Sequence, residues 1–327
     1  MKTIFGLSNL KKKFKDAVVV IGVFDGLHRG HRFLIKNAVS YARDLNKKSL
    51  CITFHPHPNT QPYLISLKHR LKLIALLGLD YCLVVSFNRQ FSEMSAKNFV
   101  RDILVKLFHP AFIFIGENFR FGSGAVGDVG LLKNMGEVFG FKVKPIKELK
   151  AGAKIISSMR IRRLIRRGEL KEAEKFLGRR VSVLGTVIKG LKRGRMLGYP
   201  TANINPHHEV LPKEGVYAVR VLYGESTYKG LCNIGGRPTF NPPEDTHPVR
   251  NYRARGKKKD VSSGAQTIEV HLFNFKKNIY GKDVEIQFIS KLRDEKKFPS
   301  ALSLSGQIKE DSQRAMCILR KSNPAAG

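Results

Sequence analysis

Two histidines three residues apart, His28 and His31, follow an apolar run and an FDG turn in VVVIGVFDGLHRGH, residues 18–31. That spacing sets both imidazoles on one face of a helix's first turn, where unpaired backbone N–H groups and the positive end of the helix dipole favour anions. Phosphate is the natural guest of such a corner. The imidazoles can donate hydrogen bonds to phosphate oxygens and stabilise charge building on a transferred phosphoryl group. Gly22 and Gly26 let the backbone turn tightly and approach a ligand.

Other stretches offer matching chemistry. GENFRFGSGAVGD, residues 116–128, carries Asn118 and Asp128, which offer base, ribose or magnesium contacts. In ISSMRIR, Ser157 or Ser158 can cap a helix and Arg160 or Arg162 can meet phosphate bidentately, although a serine-capped basic helix is also common on protein surfaces. His55 and His57 of TFHPHP are ligands or proline-locked structural residues. In KGLKRGRMLGYPTANI, glycines 190, 194 and 198 allow a loop to fold over phosphates, with Lys192, Arg193 and Arg195 adding charge. Thr201 and Asn203 occupy alternate positions of an expected strand, so a hydroxyl and an amide oxygen face the same way, an arrangement suited to Mg²⁺ bound with ATP phosphates. Glu269, between Ile268 and Val270, points to solvent from an edge strand or serves as a general base toward a substrate hydroxyl. There is no Walker-type P-loop, so a kinase here needs another phosphate cradle.

The elements that must position these residues follow from periodicity. From Val18 to about Ile146, the runs VVVIGVF, SLCITF, YCLVVSF, AFIFIG and FKVKPI alternate with helical stretches such as residues 29–45 and 96–107. That alternation implies βαβ crossovers and a mostly parallel sheet, with ligands at the carboxyl ends of its strands. Two short helices are expected in ISSMRIRRLIRRGELKEAEKFLGRR. Near Val181 the character changes to short β-type runs separated by glycine and proline, the pattern of an antiparallel barrel or sandwich. A helix from about Ser300 to Leu319 closes the chain. The expected division is 1–180 and 181–327.

Composition bounds the rest. With 327 residues, 42% of them hydrophobic, the chain can build two ordinary cores. No apolar run reaches membrane-span length and no signal-peptide core precedes the lysines at 11–13, so the expectation is a soluble, cytoplasmic protein without a membrane partner. Cys51, Cys82, Cys232 and Cys317 lack metal-ligand spacing, which argues against structural zinc or a disulfide framework. The net charge of +33 fits nucleic acid, anionic membrane or small anionic substrates. Because basic residues recur along most of the chain, a general compositional bias is favoured over a dedicated nucleic-acid face.

Taken in order, GVFDGLHRGH, TFHPHP, GENFRFG, ISSMRIR, GRMLGYPTANI, GVYAV, NIGGRPTF, IEVHL and LRDEKKF resemble the prokaryotic bifunctional riboflavin kinase/FAD synthetase family over nearly the whole chain. The resemblance implies a Rossmann-like HxGH nucleotidyltransferase domain at 1–180, followed by an antiparallel riboflavin kinase β-barrel with a C-terminal helix at 181–327. It implies small-molecule partners only: ATP and riboflavin consumed, FMN made and then joined to AMP as FAD, with Mg²⁺ and no obligate nucleic acid. His28 and His31 are the implied catalytic residues of adenylylation. Gly22, Phe24, Gly26, Ser157 and Arg162 would bind its nucleotide, and Asn118 and Asp128 its flavin, nucleotide or metal. For the kinase, the resemblance implies Glu269 as catalytic base, Gly190, Gly198, Thr201 and Asn203 at Mg²⁺-ATP, and Arg293 at the flavin.

Two departures stand out. Met159 replaces the threonine of the family's ISSTxIR motif, which removes a hydroxyl near the nucleotide phosphates and is expected to slow adenylylation. The stretch between RPTF and TIEVHL, residues 241–266, is longer than usual and reads as a loop. The competing readings are an enzyme with only its kinase half fully active, and an RNA-associated nucleotide-binding protein. The latter predicts salt-sensitive nucleic-acid affinity that requires residues 250–259.

Overall fold

Val18 to Ile21 are all but completely buried, as a central parallel strand covered on both faces must be. In this computed structural model, which describes residues 1–10, 14–58, 63–190, 198–236 and 266–322, that strand is β2 (Ala17–Ile21) of a six-stranded sheet. The other strands are β1 (Lys2–Phe5), β3 (Ser49–His55), β4 (Tyr81–Ser86), β5 (Pro110–Gly116) and β6 (Lys142–Ile146). Every pair is parallel and the order is β1-β4-β3-β2-β5-β6. Alternate side chains of β2 feed two cores. Val19 and Ile21 pack with Phe99, Leu104 and Phe108, whereas Val18 and Val20 pack with Leu34, Ile35 and Ala38 of helix α1 (Arg29–Asp44).

From β2 the chain steps outward through β3 and β4, then returns to place β5 and β6 on the other side. The reversal falls between β2 and β5, and ligands bind outside the strands' carboxyl ends at such a switch point. Two details differ from expectation. The N-terminal residues form β1, which joins β4 at the sheet edge, and the helical stretch at 96–107 is largely a π-type helix, Phe99–Phe108. Further helices are α2 (Leu67–Ala75), α3 (Val129–Phe139), α4 (Ser158–Arg167) and α5 (Leu170–Leu177), and β7 (Lys150–Ala151) and β8 (Lys154–Ile155) form a short antiparallel pair.

The second unit is a closed barrel ordered β10-β13-β12-β11-β14-β9. Its strands are β9 (Ser182–Ile188), β10 (Ala202–Asn205), β11 (Gly215–Tyr223), β12 (Ser226–Gly236), β13 (Gln266–Leu272) and β14 (Asp283–Arg293). Tyr217, Val219, Cys232, Ile234, Ile268, Val270, Ile286 and Phe288 are buried at alternating positions and fill it. On the opposite face, Val216, Ala218, Leu231 and Leu292 pack against Ala315 and Leu319 of α6 (Ala301–Lys321), which Ser300 caps through a reciprocal bond with Ser303. By packing, the first unit comprises Met1–Leu184 and His208–Leu211, and the second Gly185–His207 and Pro212–Ala326. Thr201 precedes β10 rather than lying within it, because the chain pairs only from Ala202 onward. The expected loop at 241–266, and Lys192, Arg193, Gly194 and Arg195, lie outside the described residues, apart from Gln266, which opens β13.

Candidate active site

The FDGLHRGH turn sits at the carboxyl end of β2, at the switch point. His28 caps α1 with its own ring, Nδ1 accepting from the His31 N–H at 3.3 Å. That bond leaves Nε2 to carry the proton of the neutral ring. The two imidazoles stack with centroids 3.6 Å apart, and His31 meets the Phe24 ring edge-on at 5.4 Å. Burial lowers the pKa of His28 to about 4. His31 is pushed well below its usual value by burial and then by His28 and Arg70. Near neutral pH both rings are therefore uncharged donors. Nδ1 of His31 is buried without a hydrogen-bond partner among the described residues.

Strained backbone shapes the turn. Phe24 and Leu27 have φ of 55° and 39°, and Gly26 has φ 80°. A Cβ on Gly22 would lie 2.8 Å from the Phe24 ring, and one on Gly26 would lie 2.6 Å from Leu64. Asp25, 3% exposed, holds the turn from three directions. Oδ1 accepts from the Leu64 N–H at 2.8 Å, Oδ2 accepts from Arg162 at 2.8 Å, and its carbonyl accepts from Ser158 Oγ at 2.8 Å. Burial raises the Asp25 pKa, against the pull of Arg162 and then His57. Behind the turn, Arg70 donates to the carbonyls of Val23 and Phe54, and Thr53 donates to Val23.

Ser157 caps α4, accepting from the Arg160 N–H at 3.4 Å, so α4 begins beside the turn that Ser158 touches. Met159, 65% exposed, lines with Arg162, Arg163, Arg166 and Arg167 a concavity of about 300 Å³. Asn118 is exposed just beyond β5, next to β2 in the sheet. Asp128 caps α3 through the Leu131 N–H at 2.9 Å and pairs with Arg120 at 3.3 Å. His55 ends β3, on the other side of β2, and His57 lies two residues beyond it; the pKa of His55 is lowered by burial and Arg70.

In the barrel, strand register does the assembling. Asn203 lies directly across from Glu269, and Glu269 directly across from Asn233 on β12. Directly opposed residues share a face, so the three form a row on the barrel wall facing away from buried Ile268 and Val270. A Cβ at Gly190 would come within 2.0 Å of the Asn203 amide, so any other residue there would displace that side chain. His271 Nδ1 bonds the Pro200 carbonyl at 2.9 Å and its ring meets Tyr199 at 5.6 Å, fixing the approach to Thr201. Gly198 turns that approach with φ 83°. Arg293 is engaged by Asp311 of α6 at 2.9 Å and by the Asp294 carbonyl at 3.1 Å.

Residues 10–160 match the family model for FAD synthetase and residues 177–319 that for riboflavin kinase. The chain is 37% identical to the bifunctional riboflavin kinase/FMN adenylyltransferase of Buchnera aphidicola (subsp. Schizaphis graminum), over 95% of this chain and 96% of that one. It is 34% identical to the enzyme of the same name from Escherichia coli K12, over 99% and 100%. The chain belongs to the bifunctional riboflavin kinase/FMN adenylyltransferase family. A crystal structure from Streptococcus pneumoniae, described as a macrolide-efflux protein, superposes with a TM-score of 0.79 at 28% identity, covering 99% of this chain and all of the other. No helix among the described residues is long and apolar enough to cross a membrane.

Within this family frame, Asp25 and Arg70 are the residues that motif spacing does not announce. Their partners lie between 16 and 137 positions away in the chain. Asn233 opens the NIGGRPTF stretch, but its place across from Glu269 emerges only when β12 and β13 pair. The one available signal was the acid of the VFDGL turn, because α2 carries Lys68, His69, Arg70 and Lys72 together and its sequence does not single out the buried arginine.

Proposed function

We propose that residues 181–327 convert riboflavin and ATP to FMN and ADP, and that residues 1–180 convert FMN and a second ATP to FAD and pyrophosphate. The supporting observation is that one chain of this family holds two separate constellations for phosphate chemistry: the stacked histidines at the sheet's switch point and the Asn203–Glu269 pair on the barrel. In the kinase step the ribityl hydroxyl oxygen attacks the γ-phosphorus of ATP, Glu269 takes the hydroxyl proton, and the bond from γ-phosphorus to ADP breaks. In adenylylation an FMN phosphate oxygen attacks the α-phosphorus, and the bond to pyrophosphate breaks. His28 and His31, as neutral donors, stabilise charge on the phosphate oxygens. Gly22, Phe24 and Gly26 shape the nucleotide pocket, Ser157 and Arg162 hold its phosphates, and Asn118 and Asp128 stand on the flavin side.

No cluster of three or more His, Cys, Asp or Glu residues among the described residues could hold a metal ion by itself. Thr201 and Asn203 supply neutral oxygens, with the Asn203 amide seated against Gly190, and such donors fit a cation whose charge ATP already balances. Mg²⁺ bound there would neutralise charge on the transferring phosphoryl group. Gly190 and Gly198 leave room for the phosphates, and Arg293, held by Asp311, positions the end of β14 at the flavin site. ATP and free flavins as substrates fit a cytoplasmic enzyme.

Chromatography of products from riboflavin or FMN, with ATP and Mg²⁺, tests the reading. FMN followed by FAD is expected. FMN without FAD after prolonged incubation removes the second activity and points to Met159.

A further inference from the structure

Glu209 falls inside the stretch that matches riboflavin kinase, yet it packs into the first unit. The chain leaves β10, contributes His208–Leu211 to that unit, and returns to begin β11 at Gly215. The Glu209 side chain is fully buried, as is that of His69. Oε1 accepts from the Ser66 N–H at 2.8 Å, Oε2 accepts from the Leu184 N–H at 3.0 Å, and both lie 3.1 Å from His69 Nδ1. The adjoining backbone follows: the Val210 N–H donates to the Tyr63 carbonyl at 2.9 Å. A buried carboxylate with this many donors at the start of α2 is a clamp on residues 63–69.

What that clamp holds is the FDG turn. Leu64 donates its N–H to Asp25 Oδ1 and places its side chain where a Cβ of Gly26 would otherwise sit. Arg70, next to His69, donates to the Val23 carbonyl, and Tyr63 Oη accepts from the His57 N–H at 3.2 Å. Val23, Asp25 and Gly26 are thus all set by the segment that Glu209 fixes. Asp25 in turn holds Arg162 and the start of α4.

We propose that Glu209 is a positioning residue for adenylyl transfer, acting through Ser66, His69 and Leu64 on the turn that carries His28 and His31. Its place in the kinase-matching part of the chain makes adenylylation depend on residues beyond 180. The inference rests on the reading that this turn adenylylates FMN.

The test uses the full chain as wild type, Glu209→Ala and Glu209→Gln. FAD formation is followed in single turnover with enzyme in excess over FMN and ATP saturating, and riboflavin phosphorylation is measured on the same preparations. With enzyme saturating, the rate constant does not depend on what fraction of chains is folded, so a loss of folded protein alone leaves it unchanged. Glu209→Ala is expected to lower the FAD rate constant at least tenfold, and Glu209→Gln, which keeps one carbonyl acceptor, at least threefold. Riboflavin phosphorylation per folded chain should stay within twofold. Should Glu209→Ala fail to fold, Glu209→Gln carries the test. An unchanged FAD rate constant overturns the proposal whatever happens to stability, and so does a parallel fall in phosphorylation. A wild-type chain that makes no FAD from FMN removes the functional reading and the inference together.

Discussion

His28 caps α1 by accepting at Nδ1, which only the neutral ring can do, and that ring keeps its proton on Nε2. Burial enforces that form, taking the pKa from 6.5 to about 4. Above pH 6.5 the ring is neutral folded or unfolded, and His28 contributes no pH dependence. Below 6.5 the unfolded chain gains a proton that the native ring refuses, so stability falls with pH until the native ring titrates near 4. The loss attributable to His28 is roughly 3 kcal/mol across that window. Urea unfolding at intervals from pH 7.5 to 4 should show it, with His31 acting in the same direction, and the slope should flatten in His28→Asn. An equally steep decline in that variant would assign it elsewhere. The histidine spacing was legible because helical periodicity acts over three residues. The Asp25–Arg162 pair was not, because its partners are 137 positions apart and meet only when α4 docks beside the turn.

Elements settle what residues leave open about the barrel. Period-two alternation in TIEVHL shows that Glu269 faces away from Ile268 and Val270, but not what stands across from it. Pairing of β13 with β10 on one side and β12 on the other supplies Asn203 and Asn233. All six barrel strands fall on the short β-type runs visible in the sequence, since glycine, proline and other turn residues separate them. Their order was not visible, because antiparallel pairing between β10 and β13 spans a long connection. Arg293 is a comparable case, since the sequence offers it as a flavin residue and does not reveal that α6 brings Asp311 against it. Asp311 is 1% exposed and also accepts from Gln307 at 3.2 Å. Asp311→Ala removes the carboxylate partner of the guanidinium and should cost about 3 kcal/mol, the low end for a broken buried pair because the Arg293 side chain keeps some contact with water. Replacing both partners, as Arg293→Met with Asp311→Leu, should recover most of that in urea unfolding with unchanged m-value. No recovery in the double variant would mean the loss came from α6 itself.

For the whole molecule, the question is whether the two activities need each other. In the steps proposed above neither reaction forms a covalent link to the protein, and FMN is a complete product of the first step and a complete substrate of the second. The net charge of +33, with four arginines around one concavity of the first unit, favours capture of anionic FMN and ATP from solution. Glu269→Gln removes the base proposed for the ribityl hydroxyl and leaves the turn at residues 22–31 intact, so it should consume FMN but not riboflavin. His28→Ala should do the reverse. Mixed in equal amounts, the two variants should carry riboflavin through to FAD, after a lag in which free FMN accumulates, and raising salt should lengthen the lag as steering is screened. Absence of FAD from the mixture, with each variant active in its own half reaction, would mean that FMN reaches the second site only within the chain that made it.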